Sequence, residues 1–184
     1  MINPHYDHTS AFHSGDAVEQ DAKAWLGVWK CLEEVPHLHR LARFTKNIDA
    51  TGSWDAFVSD YGADWSEHNL KYGYGKGWRE WLAYCEPREI HPACPTPEDV
   101  EKHLALQRAE MSTNQTLHDT RLRPLLYWWE WMRYHVEYPV KYNPALMAVL
   151  LRGATYDAWE TRVSDRLWKQ ELRNQKKESK YNVE

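Results

Sequence analysis

Apolar residues recur along most of this chain at alternating spacings of three and four, the period of an amphipathic helix rather than of a strand. Val18, Ala22, Trp25, Trp29 and Leu32 make one such stripe, and Pro36, which cannot continue a helix, stops it. Ser53 is a fitting N-cap for a short second helix, with Trp54, Phe57, Val58 and Tyr61 on its face and Gly62 closing it. Tyr74, Trp78, Trp81 and Cys85 form the next stripe, with Leu82 beside it and Pro87 at its end.

The boundary in "TPEDVEKHLALQ" is the clearest in the chain. Thr96 is the cap, Pro97 suits the first helical position, and Glu98 and Asp99 complement the positive end of the helix dipole. Val100, Leu104 and either Leu106 or Gln107 begin its face. "STNQT" then restarts the chain with cap-forming residues, and Leu122, Leu125, Trp129, Met132 and Val136 form a long stripe reaching Pro139. Pro124 falls inside that stripe and predicts a kink or break near Asp119–Pro124. "NPALMAVLLRG" reads as a buried helix capped by Asn143, with Pro144 first and Gly153 as terminator. Tyr156, Trp159, Val163 and Leu167 mark a last amphipathic helix, expected to dissolve into the solvated tail "RNQKKESKYNVE". No strand pattern competes. The expected fold class is all-α.

"GYGKG", with Gly73, Gly75 and Gly77 at alternate positions, invites a phosphate-loop reading. The dinucleotide fingerprint has different spacing and follows a strand, and a P-loop lysine precedes Ser or Thr, whereas Lys76 precedes Gly77. The run is expected instead to be a weak first helical turn kept for flexibility or close backbone approach.

Composition adds three constraints. The 184 residues suffice for one domain with an appendage, and three cysteines (Cys31, Cys85, Cys94) suit a reducing compartment, so a cytoplasmic location is expected. The first 16 residues, "MINPHYDHTSAFHSGD", lack the basic and apolar regions of a signal peptide, and no apolar run is long enough to span a bilayer. With 11 Trp and 11 Tyr against 3 Phe, core or contact surfaces must be built from amphipathic rings. Acids outnumber bases, 27 to 23, but the excess sits in residues 1–64, and seven Lys/Arg fall between Arg162 and Lys180. Net charge therefore does not exclude a polyanionic partner.

From residue 65 to about 152 the order of signals resembles the core-binding, SAM-like N-terminal domain of phage-type tyrosine recombinases. The carriers are "SEHNLKYGYGKGWREWLAYCE", "ACPTPEDVEKHLALQ", "STNQTLHDTRLRPLLYWWEWM" and "YNPALMAVLL", which are similar to that module's four helices in order and length. The resemblance implies half of a clamp around duplex DNA, with helix starts laid against phosphates. It points to Ser66, Asn69, Lys71 and Lys76 on the first helix, Lys102 and Arg108 on the second, and Ser112, Thr113, Asn114, Thr116, Arg121 and Arg123 on the third.

The family's catalytic domain is not expected in these residues, since only 31 follow Gly153. Two His-x-x-Arg strings occur, His37–Arg40 and His118–Arg121, the latter with Tyr156 downstream, but neither has the Arg and Lys that would clamp a phosphate for attack. No catalytic residue, metal or cofactor is expected. Cys85, His91 and Cys94 fit no standard zinc spacing, and His5, His8 and His13 read as polar leader residues.

The expected organisation is a disordered leader (1–15), a helical extension (16–64), the core-binding module (65–153) and an amphipathic helix with charged tail (154–184). The expected function is catalytically inactive DNA binding, accessory or regulatory to site-specific recombination. Its partners would be duplex DNA and either a full-length recombinase or a second copy, with no membrane. The alternative is a protein-interaction module whose Trp-rich surface, around Trp128, Trp129 and Trp131, binds a partner and not DNA. The extension should dock on that same surface.

Overall fold

Caps fix most of the helix boundaries. In a computed structural model that describes Ala22, Leu26, residues 28–62 and residues 65–181, six helices follow one another and no strand occurs among the described residues. They are α1 (Ala50–Tyr61), α2 (a π-helical Asn69–Tyr74 running into Gly75–Cys85) and α3 (Pro97–Glu110). Then come α4 (Asn114–Leu117, π-helical His118–Leu122 and Arg123–Tyr134, end to end), α5 (Pro144–Leu150) and α6 (Ala154–Tyr181). In α6, side chains beyond Ser164 are described at Trp168, Lys169, Glu171 and Arg173. The leader, with His5, His8 and His13, lies outside the described residues, as do Val18 and Trp25 of the first stripe.

Ahead of α1 the structure departs from the periodicity. Ala22 and Leu26 are helical and buried, but Val28 lies in a turn and Leu32 in the first of three 3-10 turns, Leu32–Glu34, His37–His39 and Leu41–Phe44. Gly27 and β-branched Val28, poor helix formers, precede that break, so Trp29 and Leu32 do not continue the stripe. The turns are tied to the core where the Leu41 amide donates to the Tyr142 hydroxyl (3.1 Å).

Helix α1 starts at Ala50 rather than after Ser53. Asp49 is the cap, accepting from the Gly52 amide (3.1 Å), while Ser53 is buried one turn inside and donates to the Ala50 carbonyl (2.9 Å). Thr96 behaves as read: its hydroxyl accepts from the Asp99 amide and the Asp99 carboxylate accepts from the Thr96 amide, a reciprocal capping box. Asn143 caps α5 through the amides of Ala145 (3.0 Å) and Leu146 (3.3 Å).

Pro124 does not break its helix. The π-helical turn over His118–Leu122 widens the ladder just ahead of it, so that Pro124 sits at the head of the segment Arg123–Tyr134. That helix ends at Tyr134, which leaves Val136 almost fully exposed rather than on the apolar stripe.

The tryptophans are mostly interior. Trp54 of α1 stacks on Trp78 of α2 (centroids 4.7 Å apart, planes 3° apart) and meets the edge of Trp128 of α4 at 6.0 Å. Phe57 lies 6.1 Å from Trp131, so α1 docks on the aromatic surface of α4 as expected of the extension. The indole of Trp81 donates to the Pro92 carbonyl (3.0 Å) and that of Trp129 to the Ala93 carbonyl (3.2 Å), pinning the α2–α3 loop. Trp128, Trp129 and Trp131 are all buried. The open Trp-rich face of the interaction-module alternative is therefore absent from the described residues, where Trp168 is the tryptophan left largely exposed.

Helix α6 also differs from expectation. It packs on α3, α5 and the first part of α4, and instead of fraying at "RNQKKESKY" it continues to Tyr181. Its start is held by Glu101 of α3, whose carboxylate accepts from the amides of Ala154 (2.7 Å) and Thr155 (3.0 Å). No helix among the described residues is long and apolar enough to cross a membrane.

Candidate nucleic-acid interface

Gly77 determines how the two helix starts meet. A Cβ at this position would fall on the Thr120 carbonyl oxygen, so only glycine lets α2 press directly against the π-turn of α4. Gly75 is equally constrained, against the Leu70 carbonyl of its own π-helical turn, whereas a Cβ on Gly73 would meet open space. The glycine run is thus a close-packing device, and no phosphate loop is formed.

The residues picked out from the sequence are spread over the helices that this contact joins and over α3. Ser66, Asn69, Lys71 and Lys76 are exposed at the start of α2, and the Ser66 hydroxyl accepts from the Asn69 amide at 3.3 Å. At the start of α4, whose first turn packs on α3 and α6, Ser112, Thr113 and Thr116 are exposed and Asn114 is half-buried. Thr113 caps that helix by accepting from the Thr116 amide (3.1 Å), and its hydroxyl lies 2.9 Å from that of Thr116. The Arg123 guanidinium sits over the Tyr74 ring (5.4 Å) and 3.6 Å from the Asp119 carboxylate, bridging α4 to α2.

Not all the selected cations remain available. Arg121 is 2 % exposed, locked between Glu80 of α2 and Gln107 of α3, and it also donates to the Thr120 carbonyl (3.2 Å). Its assignment as a phosphate contact is therefore corrected. One guanidinium buried among three helices needs an internal carboxylate, and Glu80 supplies it. Lys76 shares that carboxylate at 3.8 Å but keeps its ammonium exposed. Arg108 pairs with Asp157 of α6, and Lys102 is exposed on α3 beside the Glu101 cap. Arg79 was missed: it is exposed on α2 and donates to the Lys71 carbonyl (3.1 Å), three residues beyond Lys76 and so on the same side of the helix.

The His118–Arg121 string lies inside the fold. His118 is 4 % exposed, and burial lowers its tendency to protonate, so its neutral ring donates through Nδ1 to Asp119 (2.9 Å). Burial alone would raise the Asp119 carboxyl. Hydrogen bonds from His118 and Gln115, with the charge of Arg123, instead hold it well below the usual carboxylate range. In the His37–Arg40 string, His37 meets Arg43 rather than Arg40, while the Arg40 Nε donates to the Val35 carbonyl. Cys85 and Cys94 are buried thiols pushed up to about 12, and His91 accepts from the Ala93 amide. Among the described residues no three His, Cys, Asp or Glu gather where they could hold a metal ion.

The exposed ammonium, guanidinium and hydroxyl groups on α2 and at the start of α4 can hold anions from outside. No family model matches the chain, and no curated protein or solved structure matches it either.

Proposed function

We propose that residues 65–153 form a SAM-like, core-binding-type module that holds duplex DNA without cutting it, as an accessory or regulatory component of site-specific recombination. The reading is carried by the abutment of α2 and α4 at Gly77, beside which α2 keeps Lys71, Lys76 and Arg79 exposed and α4 sets Arg123 over Tyr74, with the hydroxyls of Ser112, Thr113 and Thr116 exposed at the start of α4. Groups of this kind position a phosphate backbone without reading sequence. The burial of His118 and Arg121 supports a binding role over a catalytic one, because neither is offered to a scissile phosphate.

The test is titration of duplex DNA at several salt concentrations. Each neutralised phosphate contributes about −0.9 to the log–log salt slope, so this surface should give roughly −2 to −4. A suicide substrate should yield neither cleavage nor a covalent tyrosine adduct. Absence of binding at the lowest salt would reject the proposal in favour of a protein partner.

A further inference from the structure

Helix α6 carries a register that changes chemistry where it leaves the body. Thr155 and Trp159 are buried against the other helices, and the same face continues at spacings of 3, 4, 3, 4, 3 and 4 through Arg162, Arg166, Lys169, Arg173, Lys176 and Lys180. Among the described residues Val163 is the last packed against the core, and every later one with a described environment, Ser164, Trp168, Lys169, Glu171 and Arg173, is exposed. The helix nevertheless continues to Tyr181, an overhang of about 27 Å at 1.5 Å per residue. Along it the core-facing register holds cations instead of apolar residues.

Charge is segregated around the overhang. Glu160, Glu171 and Glu178 fall on the opposite face, and Asp165 is the acid nearest the basic stripe. A helix lying on a membrane would need an apolar face opposite its cations, and here that side carries glutamates. The arm also emerges beside the α4 start: α6 packs along the segments Asn114–Leu117 and His118–Leu122, and Arg162 is near enough to His118 to disfavour its protonation.

We infer that the projecting half of α6 is a second nucleic-acid contact, a basic arm that continues the α2–α4 surface and lies along the phosphates of the same duplex. The inference rests on the DNA-binding reading and adds a partner surface from outside the core-binding module. Its cations recur about every 5 Å along the helix, dense enough for several to meet phosphates of one groove edge at once.

The experiment titrates a long duplex, over a range of salt, with the full chain and three variants. The arm variant Arg166→Gln/Lys169→Gln/Arg173→Gln should lose about 2 to 3 from the magnitude of the salt slope. The surface variant Lys71→Gln/Lys76→Gln/Arg123→Gln should keep the part of the slope due to the arm. The third, Arg173→Glu/Glu171→Arg, preserves net charge while moving a cation to the opposite face, and it should also bind more weakly. Melting curves for the arm variant should match wild type, since Lys169 and Arg173 are exposed beyond the last described residue packed on the core. An arm variant with an unchanged slope overturns the inference and leaves the α2–α4 proposal standing. Loss confined to the arm variants upholds the inference and removes the α2–α4 surface. No binding by the wild-type chain rejects both, and capture by phosphatidylserine vesicles in place of DNA rejects the nucleic-acid assignment.

Discussion

The Asn143 side-chain amide donates to the Glu130 carboxylate at 3.1 Å and to the Leu126 carbonyl at 2.9 Å, while its oxygen caps α5. One fully buried side chain thus joins the last turns of α4 to the first turn of α5 and gives Glu130 an internal partner. Burial raises the Glu130 carboxyl against the opposing pull of Arg133 and of Asn143 itself.

Asn143→Ala should therefore lower stability by about 3 kcal/mol, the sum of a lost cap and buried groups left unpaired. Asn143→Asp keeps the capping oxygen but sets a second carboxylate beside Glu130. Its loss in urea unfolding should be larger at about pH 8 than at about pH 5, where one of the pair can be protonated. Equal losses for Asp at both pH values would mean that Glu130 is not charged beside it.

The glycine run gives a paired test. Gly77→Ala forces a methyl group onto the Thr120 carbonyl and should cost about 1 to 3 kcal/mol, as overpacking does. Gly73→Ala meets nothing within 4 Å and should gain up to about 1 kcal/mol from helix propensity. Urea midpoints in the reverse order would contradict the close contact of α2 with α4.

His103 predicts acid sensitivity. Its ring is buried against Trp81 and Tyr84, both nitrogens lack a hydrogen-bond partner, and burial, aided by the charges of Arg121 and Arg88, pushes its pKa down to about 3. Between that value and the ordinary 6.5 the unfolded chain binds a proton that the folded chain does not. Stability is then complete above pH 6.5 and falls as the pH drops, by about 2 kcal/mol at pH 5. His118, also lowered by burial, acts in the same direction. His103→Phe should retain stability near pH 8 and lose much less of it near pH 5. If it tracks the wild type across this range, the acid response arises elsewhere.

The caps and stripes of α3, α4 and α5 were legible because each boundary is set locally, by Thr96, Thr113 and Asn143 acting on amides within three residues. What the sequence concealed is long-range. Nothing near Arg121 reveals that Glu80, 41 residues earlier, draws it inside, while Lys76, which shares that carboxylate, stays exposed. Periodicity placed the aromatic face of Trp54 and Phe57 correctly but not its start, because Asp49 outcompetes Ser53 as a cap. It also ended α6 too early: the apolar stripe was read as far as Leu167, while the helix continues to Tyr181 on a register of cations that hydrophobic patterning does not capture.

The segment ahead of residue 65 should be inseparable from the rest. Trp54 is stacked face to face on Trp78 and edge-on to Trp128, Phe57 is wholly buried, and the Leu41 amide is held by Tyr142. Truncating one such indole typically costs about 3 to 5 kcal/mol, a large share of the 5–15 kcal/mol that holds an ordinary domain together. Trp54→Ala should therefore lower the melting temperature sharply and reduce the near-ultraviolet circular dichroism arising from the stacked pair. Deleting residues 1–62 removes α1 and uncovers Trp78, Trp128 and Trp131 together, so the remainder should bind a hydrophobic dye or aggregate. A truncated chain that stays monomeric, excludes the dye and melts like the full protein would show that α1 is an ornament on a self-sufficient module. The aromatic surface of α4 would then be free to serve a partner instead of the core.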